Sequence, residues 1–296
     1  MFDRYNQFPI IVLPDEVLIE MFHFYSDSFV RSRSSAGWRR LVRVCRGWRN
    51  LVFGSPLHLG VKLQCKAKTS LREMLDVCPA LPISMRESVY SNLSQVEHEP
   101  VLAILMPHQR VSETDLTGVP NGLLEQVGKT MQKSFPALTK LLLESNSPSP
   151  QESLIKDSLL NGSAPRLREL EFKNIPLPYP ALSNILLSTS DLRYLELYSI
   201  PPAFIPSKVM AACLSGLTRL EVLVIEFCSS RFRRNQNSSS PPPTRTALPV
   251  LTHLRFQGRC DYLEDLVASI DAPVLSSMSL SFFKGDARHS AYLQIY

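Results

Sequence analysis

The hexapeptide LRYLEL at residues 192–197 is one of six copies of the pattern L-x-x-L-x-L in this chain of 296 residues. The other copies are LTKLLL, LRELEF, LEVLVI, LTHLRF and LSSMSL, which start at residues 138, 167, 220, 251 and 275. Successive copies therefore start 29, 25, 28, 31 and 24 residues apart. Side chains alternate across a β-strand, so each copy predicts a strand whose fourth and sixth residues point into a core.

A short apolar pattern that recurs every two to three dozen residues is typical of a leucine-rich-repeat solenoid, in which each unit supplies one strand and one returning helix. We therefore expect an α/β fold with a parallel sheet on the concave side of the solenoid. The array should occupy residues 59–296, with irregular repeats over residues 59–135 and a low-complexity insert over residues 229–246. Prolines two residues before a strand leucine should end the returning helices; these are Pro136, Pro165, Pro249 and Pro273.

Apolar stripes with helical spacing lie between the strands and predict the returning helices. The four stripes are Leu123, Leu124, Val127 and Met131; Leu154, Ile155 and Leu159; Val209, Met210, Cys213 and Leu214; and Leu263, Leu266, Val267 and Ile270.

The residues between the inward-pointing leucines alternate to the opposite side of the sheet, which is the candidate target-binding surface. The candidates are Lys140, Glu169, Glu171, Tyr194, Glu196, Tyr198, Val222, Val224, His253 and Arg255. The same side should carry Leu142, Glu144, Lys173, Glu226 and Gln257. Tyr194 and Tyr198 are candidate anchors, because aromatic residues concentrate binding energy at interfaces. Sheet propensity alone also favours tyrosine in a strand, so both explanations stay open.

Two amphipathic helices are predicted near the N-terminus. Pro14 suits the first turn of a helix over residues 14–25, and the acidic residues that follow it complement the helix dipole. After a serine-rich interruption, residues 38–52 carry an apolar stripe on one side and arginines on the other. So small a unit cannot bury both stripes alone, and we expect it to need a partner surface from its own array or from another protein.

The same region resembles an F-box. LPDEVLIEMF at residues 13–22 and LVRVCRGWRNLVFGSPLHL at residues 41–59 match its L-P-x-E helix and its V-C-x-x-W-R segment. The loop between the helices is longer than in compact F-boxes, and the final tryptophan-like position is absent. The resemblance implies a helical F-box over residues 9–58 that docks on a Skp-family adaptor and, through it, on a cullin. The adaptor contacts it implies are Leu13, Pro14, Val17, Leu18, Met21, Phe22, Val44 and Trp48, although some of these residues could instead hold the small unit together.

Charge is unevenly distributed along the chain, whose net charge is +5. Residues 1–66 contain ten basic and five acidic residues, whereas the remainder contains 22 of each. Seven arginines lie within residues 31–49 without an acid, and such a run could contact nucleic-acid phosphates or an acidic protein. The absence of a base-reading motif and the sparse aromatic residues argue against nucleic acid.

No catalytic, metal or cofactor motif stands out. The six cysteines are scattered without C-x-x-C spacing, and five of them lie in apolar or helical patterns, so reduced core thiols are expected. Residues 122–130 resemble a phosphate-binding loop but have five residues between the glycines instead of four, and they fit a helix. We expect a chain that is not an enzyme and has no cofactor, signal peptide or membrane span, located in the cytoplasm or nucleus.

The F-box resemblance implies a function as the substrate-receptor subunit of an SCF-type cullin-RING ubiquitin ligase, with the repeats binding an unknown target protein. The alternative is a non-catalytic interaction scaffold that acts independently of ubiquitination.

Overall fold

The structure is a computed structural model that describes residues 13–30, 37–56, 59, 61–65, 81–89, 98–146, 155–175, 177–200, 205–228, 245–284 and 287–289. The chain divides into two compact units. The first comprises Met1–Gln64 and Arg72–Ile83, and the second comprises Cys65–Leu71 and Ser84–Tyr296.

The described residues form eight α-helices and twelve strands. The helices are α1 Asp15–Val30, α2 Gly37–Leu41, α3 Arg46–Gly54, α4 His98–Leu105, α5 Asn121–Thr130, α6 Tyr179–Ser188, α7 Ser207–Leu214 and α8 Cys260–Ser269. The strands are β1 Leu63–Cys65, β2 Ile83–Ser88, β3 Val111–Val119, β4 Lys140–Ser145, β5 Glu169–Lys173, β6 Tyr194–Ile200, β7 Val222–Phe227, β8 Thr246–Ala247, β9 His253–Gly258, β10 Ile270–Asp271, β11 Ser277–Lys284 and β12 Ala287–His289.

In the first unit, α1 begins directly after Pro14, whose carbonyl accepts hydrogen bonds from the N–H groups of Val17 and Leu18 at 3.0 and 3.1 Å. This helix is longer than the predicted one over residues 14–25. The prediction of one continuous second helix is wrong, because the chain breaks into α2 and α3. Cys45 is the N-cap of α3, and its Sγ accepts a hydrogen bond from the Trp48 N–H at 3.5 Å. The buried side chains of this unit include Leu18, Phe22, Trp38, Leu41 and Val52.

The second unit is a mixed α/β structure built on a parallel sheet. Nine strands lie side by side in the order β2-β3-β4-β5-β6-β7-β9-β11-β12. Neighbours from β3 to β11 pair in parallel, and β12 pairs antiparallel with β11. β8 and β10 form a separate two-stranded sheet. All six copies of the leucine pattern form strands of the large sheet, which confirms their prediction as parallel strands.

The core lies on the side of the sheet to which the leucine pattern points. The fourth and sixth residues of the first four copies are all fully buried, from Leu141 and Leu143 to Leu223 and Ile225. The predicted stripe of α5 is confirmed, because Leu123, Leu124, Val127 and Met131 are also fully buried. The strand-to-helix alternation thus produces a core between the sheet and its connecting helices.

Two of the predicted stripes are wrong in part. Ile155 and Leu159 are buried, but a 3-10 turn at Leu159–Gly162 replaces the predicted helix, and Leu154 lies outside the described residues. Leu160 and Asn161 adopt left-handed φ angles of 55° and 52°, which a right-handed helix cannot continue through. In the last stripe, Val267 is 41% exposed and Ile270 belongs to β10.

The segment in which irregular repeats were predicted also contributes strands to the large sheet, since β2 and β3 precede β4 in its order. Gly118 has a φ of +66° at the bulge between Leu116 and Val119 of β3, and an added Cβ would lie 2.7 Å from the Val89 carbonyl oxygen. Most of the low-complexity insert, residues 229–244, lies outside the described residues.

The described cysteines are all free thiols, but they are not all in the core. Cys65 and Cys213 are buried, whereas Cys260 is exposed at the start of α8. Among the described residues, each helix is too short or too polar to cross a membrane.

Candidate protein-binding surfaces

The side of the sheet opposite the core carries ordered rows of side chains, and we call this side of β3 to β9 the sheet face. Parallel pairing aligns the repeats residue by residue, so equivalent positions form rows across the strands. The first row is Lys140, Glu169, Tyr194, Val222 and His253, and the second is Leu142, Glu171, Glu196, Val224 and Arg255. The ten predicted target-binding residues therefore do share one side of the sheet, with Tyr198 in a third row beside Lys173.

Five of these side chains, together with Lys173, form a connected ionic network over β4, β5 and β6. Lys140 Nζ lies 2.6 Å from a Glu169 oxygen and 3.4 Å from Glu171. Lys173 Nζ lies 3.1 Å from Glu171 and 3.3 Å from Glu196. Tyr194 Oη donates a hydrogen bond to Glu196 at 2.7 Å. Because neighbouring strands are about 4.8 Å apart, side chains of opposite charge in adjacent rows come within contact distance.

The network keeps its two lysines charged. Burial lowers the pKa of Lys140, but hydrogen bonds and charge attraction from Glu169 and Glu171 outweigh burial and raise the pKa overall. The same balance, with Glu171 and Glu196 as partners, raises the pKa of Lys173. Burial and the neighbouring Glu196 carboxylate both raise the pKa of Tyr194. Three carboxylates therefore share two ammonium groups, and the network carries one excess negative charge.

The other predicted residues differ in how much of their surface a partner could reach. Glu171 and Val224 are only 8% and 7% exposed, and Glu171 is in contact with Lys140 and Lys173. Tyr198 is 39% exposed, whereas Tyr194 is held by Glu196. Arg255 has a largely exposed side chain whose Nε lies 2.7 Å from the buried Glu226. Tyr198 is thus the more accessible of the two predicted aromatic anchors.

A groove of about 590 Å³ opens where the central strands begin, and it is lined by Lys140, Arg168, Glu169, Glu171, Arg193, Tyr194, Glu221 and Val222. Arg168, Arg193 and Glu221 were not predicted as candidates, because they lie at the second position of the pattern, just before each strand. Their backbones form a ladder in which Arg193 N donates to Arg168 O and Glu221 N donates to Arg193 O, each at 2.8 Å. Charged residues recur at this second position of the pattern. This recurrence is the sequence signal by which the three residues could have been identified.

On the first unit, an apolar stripe runs along one side of α1. Val17, Met21 and Phe24 are 43, 48 and 73% exposed, and their spacing places them on successive turns of one side of α1. Leu13, which is 37% exposed, lies two residues before the helix begins. Phe24 was not among the predicted adaptor contacts. We call these four residues the apolar stripe.

The remaining predicted adaptor contacts divide between surface and interior. Pro14 and Val44 are exposed, the latter at 60%. Leu18 and Phe22 are 4% and 2% exposed, and the Phe22 ring lies 4.6 Å from the ring of the half-buried Trp48. These three side chains hold the helices of the first unit together, which is the alternative role that the sequence left open.

The arginine run is partly committed to contacts within the first unit. The Arg39 guanidinium lies over the Trp38 ring at 5.7 Å, and Arg49 Nε donates a hydrogen bond to Val42 O at 3.0 Å. Arg31 and Arg33 lie outside the described residues.

These features define a mixed α/β protein with an apolar helical surface on one unit and a charged sheet face on the other. No protein-family model matches the chain, and no curated protein matches it. In the part of the chain that the structure describes, no group of three or more His, Cys, Asp or Glu side chains is placed to hold a metal ion. The two surfaces are therefore the basis for a functional proposal.

Proposed function

We propose that this chain is the substrate-receptor subunit of an SCF-type cullin-RING ubiquitin ligase. The first unit would act as an F-box that docks on a Skp-family adaptor, and the repeats would form a leucine-rich-repeat solenoid whose sheet face binds a target protein. The observation that carries the proposal is the apolar stripe on α1. Three of its four residues, Leu13, Val17 and Met21, are positions at which the F-box resemblance implies adaptor contact.

Exposed apolar side chains in a continuous row favour a protein partner, because covering them removes apolar surface from water. Leu18 and Phe22 support such docking indirectly, since their burial fixes which side of α1 faces outward. Val44 adds a further exposed apolar side chain to the same unit. In this role the chain brings the target close to the ubiquitin-transfer machinery, and other subunits perform the chemistry.

Calorimetric titration of the full chain with purified adaptor tests the proposal. We expect the wild type to bind, and Val17→Ser with Met21→Ser to weaken binding by at least about tenfold, the loss of about 1.4 kcal/mol expected at an interface centre. The matched control is Leu187→Ser with Val267→Ser, which changes two apolar residues on α6 and α8 of the second unit that are 62% and 41% exposed. Failure of the wild type to bind any adaptor paralogue, or equal weakening by both pairs, would overturn the proposal.

The second candidate is an interaction scaffold that acts independently of ubiquitination. It is favoured by the groove and ionic network of the sheet face, which need no adaptor to bind a partner. A reconstituted ligase separates the candidates once a bound partner is known. Ubiquitination of that partner that depends on Val17 and Met21 supports the receptor, whereas binding without ubiquitination supports the scaffold.

A further inference from the structure

We propose that the sheet face recognises a basic segment of its partner protein, with a lysine or arginine side chain placed against the ionic network. This inference deepens the proposed function by giving the chemistry of the target. It needs only the sheet face, and it can therefore be tested without the adaptor.

Charge on the sheet face has the opposite sign to that of the whole chain. In the described strands from β3 to β9, this face presents seven carboxylates: Glu113, Asp115, Glu144, Glu169, Glu171, Glu196 and Glu226. Their counterions are four cations: Lys140, Lys173, Arg255 and, from β2, Arg86. With the groove residues Arg168, Arg193 and Glu221 included, the face carries an excess of two negative charges, although the chain as a whole has a net charge of +5.

The unsatisfied part of this charge lies in the centre of the sheet. Asp115 is paired with Arg86 at 3.1 Å and Glu226 with Arg255 at 2.7 Å, and Glu113 accepts a hydrogen bond from Ser84 Oγ at 2.8 Å, so the flanking carboxylates have partners of their own. In the centre, the ionic network is short of one positive charge. Glu144 adds a further carboxylate beside Lys173 in the strand register, and it forms no ion pair within the described residues. An incoming cation would therefore gain most at this central position.

The surroundings also suit the shape of a long basic side chain. Lysine and arginine pack their alkyl stems on apolar surface while the charged group reaches a polar partner. Val222 and Tyr194 line the groove next to the network and offer such a surface. Tyr198, which pairs in register with Lys173, exposes its ring on the same side and can accept a cation–π contact.

An acidic ligand is the main competing occupant, because Arg168 and Arg193 lie at the rim of the groove. Arg193 is already paired with Glu221 at 3.4 Å, and Glu169 and Glu171 line the same groove. The carboxylates of these residues oppose the entry of an anionic ligand. The observations therefore favour a basic ligand. Binding of an acidic ligand is tested in the same experiment.

Fluorescence anisotropy of the full chain with labelled six-residue peptides tests the inference at low ionic strength. We expect hexa-arginine and hexa-lysine to bind, with an affinity that falls as salt is added, and hexa-glutamate not to bind. The two cationic peptides show whether a guanidinium or an ammonium group is preferred. Preferential binding of hexa-glutamate would overturn the inference, because it would mean that the net positive charge of the chain dominates.

A single substitution then locates the binding site. Glu144→Gln removes one unpaired carboxylate from the sheet face and should weaken hexa-arginine binding about three- to fivefold, as expected for a half-exposed ion pair. The control Asp157→Asn makes the same change of charge at an exposed position before the 3-10 turn and should leave affinity unchanged. Equal effects of the two substitutions, or none from Glu144→Gln, would refute the assignment. Adaptor binding that fails while the peptide result holds would remove only the receptor proposal.

Discussion

Substitution of Phe22 and of its neighbour Met21 tests which side of α1 is surface and which is core. Phe22 is 2% exposed and packs its ring 4.6 Å from that of Trp48, whereas Met21 is 48% exposed on the apolar stripe. Truncation of a buried phenylalanine to alanine costs about 3–5 kcal/mol, from lost burial and from the cavity left behind. Met21→Ala leaves no cavity, and alanine is an excellent helix former, so its cost should be below about 0.5 kcal/mol.

Urea unfolding followed by tryptophan fluorescence measures this difference in the first unit specifically. The chain has two tryptophans, and both Trp38 and Trp48 belong to that unit. With a denaturant slope of about 1–2 kcal/mol per molar for a small unit, Phe22→Ala should lower the midpoint by roughly 2 M or more, or unfold the unit without urea. Met21→Ala should leave the midpoint within about 0.5 M of wild type.

The same pair of variants separates stability from binding. Met21→Ala should weaken adaptor binding although the first unit remains folded, because the side chain is removed from the surface alone. If Met21→Ala lowers the unfolding midpoint as much as Phe22→Ala does, α1 does not present the apolar stripe to solvent. Adaptor docking on α1 would then have no exposed apolar surface to support it.

Two further predictions concern the second unit. Glu171→Gln removes the carboxylate shared by Lys140 and Lys173, whose contacts are 3.4 and 3.1 Å; we expect a loss of about 1–2 kcal/mol, between the values for exposed and buried pairs. Far-UV circular dichroism should detect this shift while the tryptophan transition stays unchanged, and a shift of both would contradict a local effect. Burial raises the pKa of Tyr194 and Tyr262 above the ordinary value of 10.0, so their contribution to stability is complete below pH 10 and is lost as the pH rises further. In an alkaline titration, part of the tyrosinate absorbance should therefore appear only on unfolding, and Tyr262→Phe should reduce that part; an unchanged late absorbance would contradict the prediction.

The strands of the large sheet were predictable because their pattern is local. Alternation with period two decides which side of a strand is apolar, and five of the six copies begin with a fully buried leucine. The third residue of each copy begins its strand, from Lys140 in β4 to Ser277 in β11. The common side of Lys140, Glu169 and Tyr194 followed directly from that alternation.

The details of the first unit were less predictable because several local preferences compete there. Residues 38–52 have a continuous apolar stripe, yet the helix stops after Leu41 and restarts after Cys45, whose sulfur caps α3. This cap is a hydrogen bond from a backbone N–H to a side-chain sulfur, and the periodicity of apolar residues does not reveal it. Leu18 and Phe22 likewise share the apolar character of Val17 and Met21, and only the packing of α1 against its neighbours shows which pair is buried.

Ion-pair partners on the sheet face depend on strand register, which composition does not encode. The sequence shows Lys140, Glu169 and Glu171 as charged residues between leucines, but only the pairing of β4 with β5 brings the lysine between the two carboxylates. The excess of negative charge on the sheet face becomes apparent only when the register of the strands is known.

The two surfaces would bind a partner through different interactions, hydrophobic burial at the apolar stripe and electrostatic attraction at the sheet face. The apolar stripe cannot be covered by α1 itself, and the buried Leu18 and Phe22 lie on a different side of the helix, so covering the stripe with another protein releases hydrophobic free energy. The sheet face instead satisfies most of its charges internally and retains a small negative excess, which contributes chiefly to specificity and to the rate of association. Binding at the stripe should consequently depend little on ionic strength, whereas binding at the sheet face should weaken as salt rises. For the proposed receptor function, this difference predicts that added salt releases the target from the sheet face while the adaptor stays bound to the stripe.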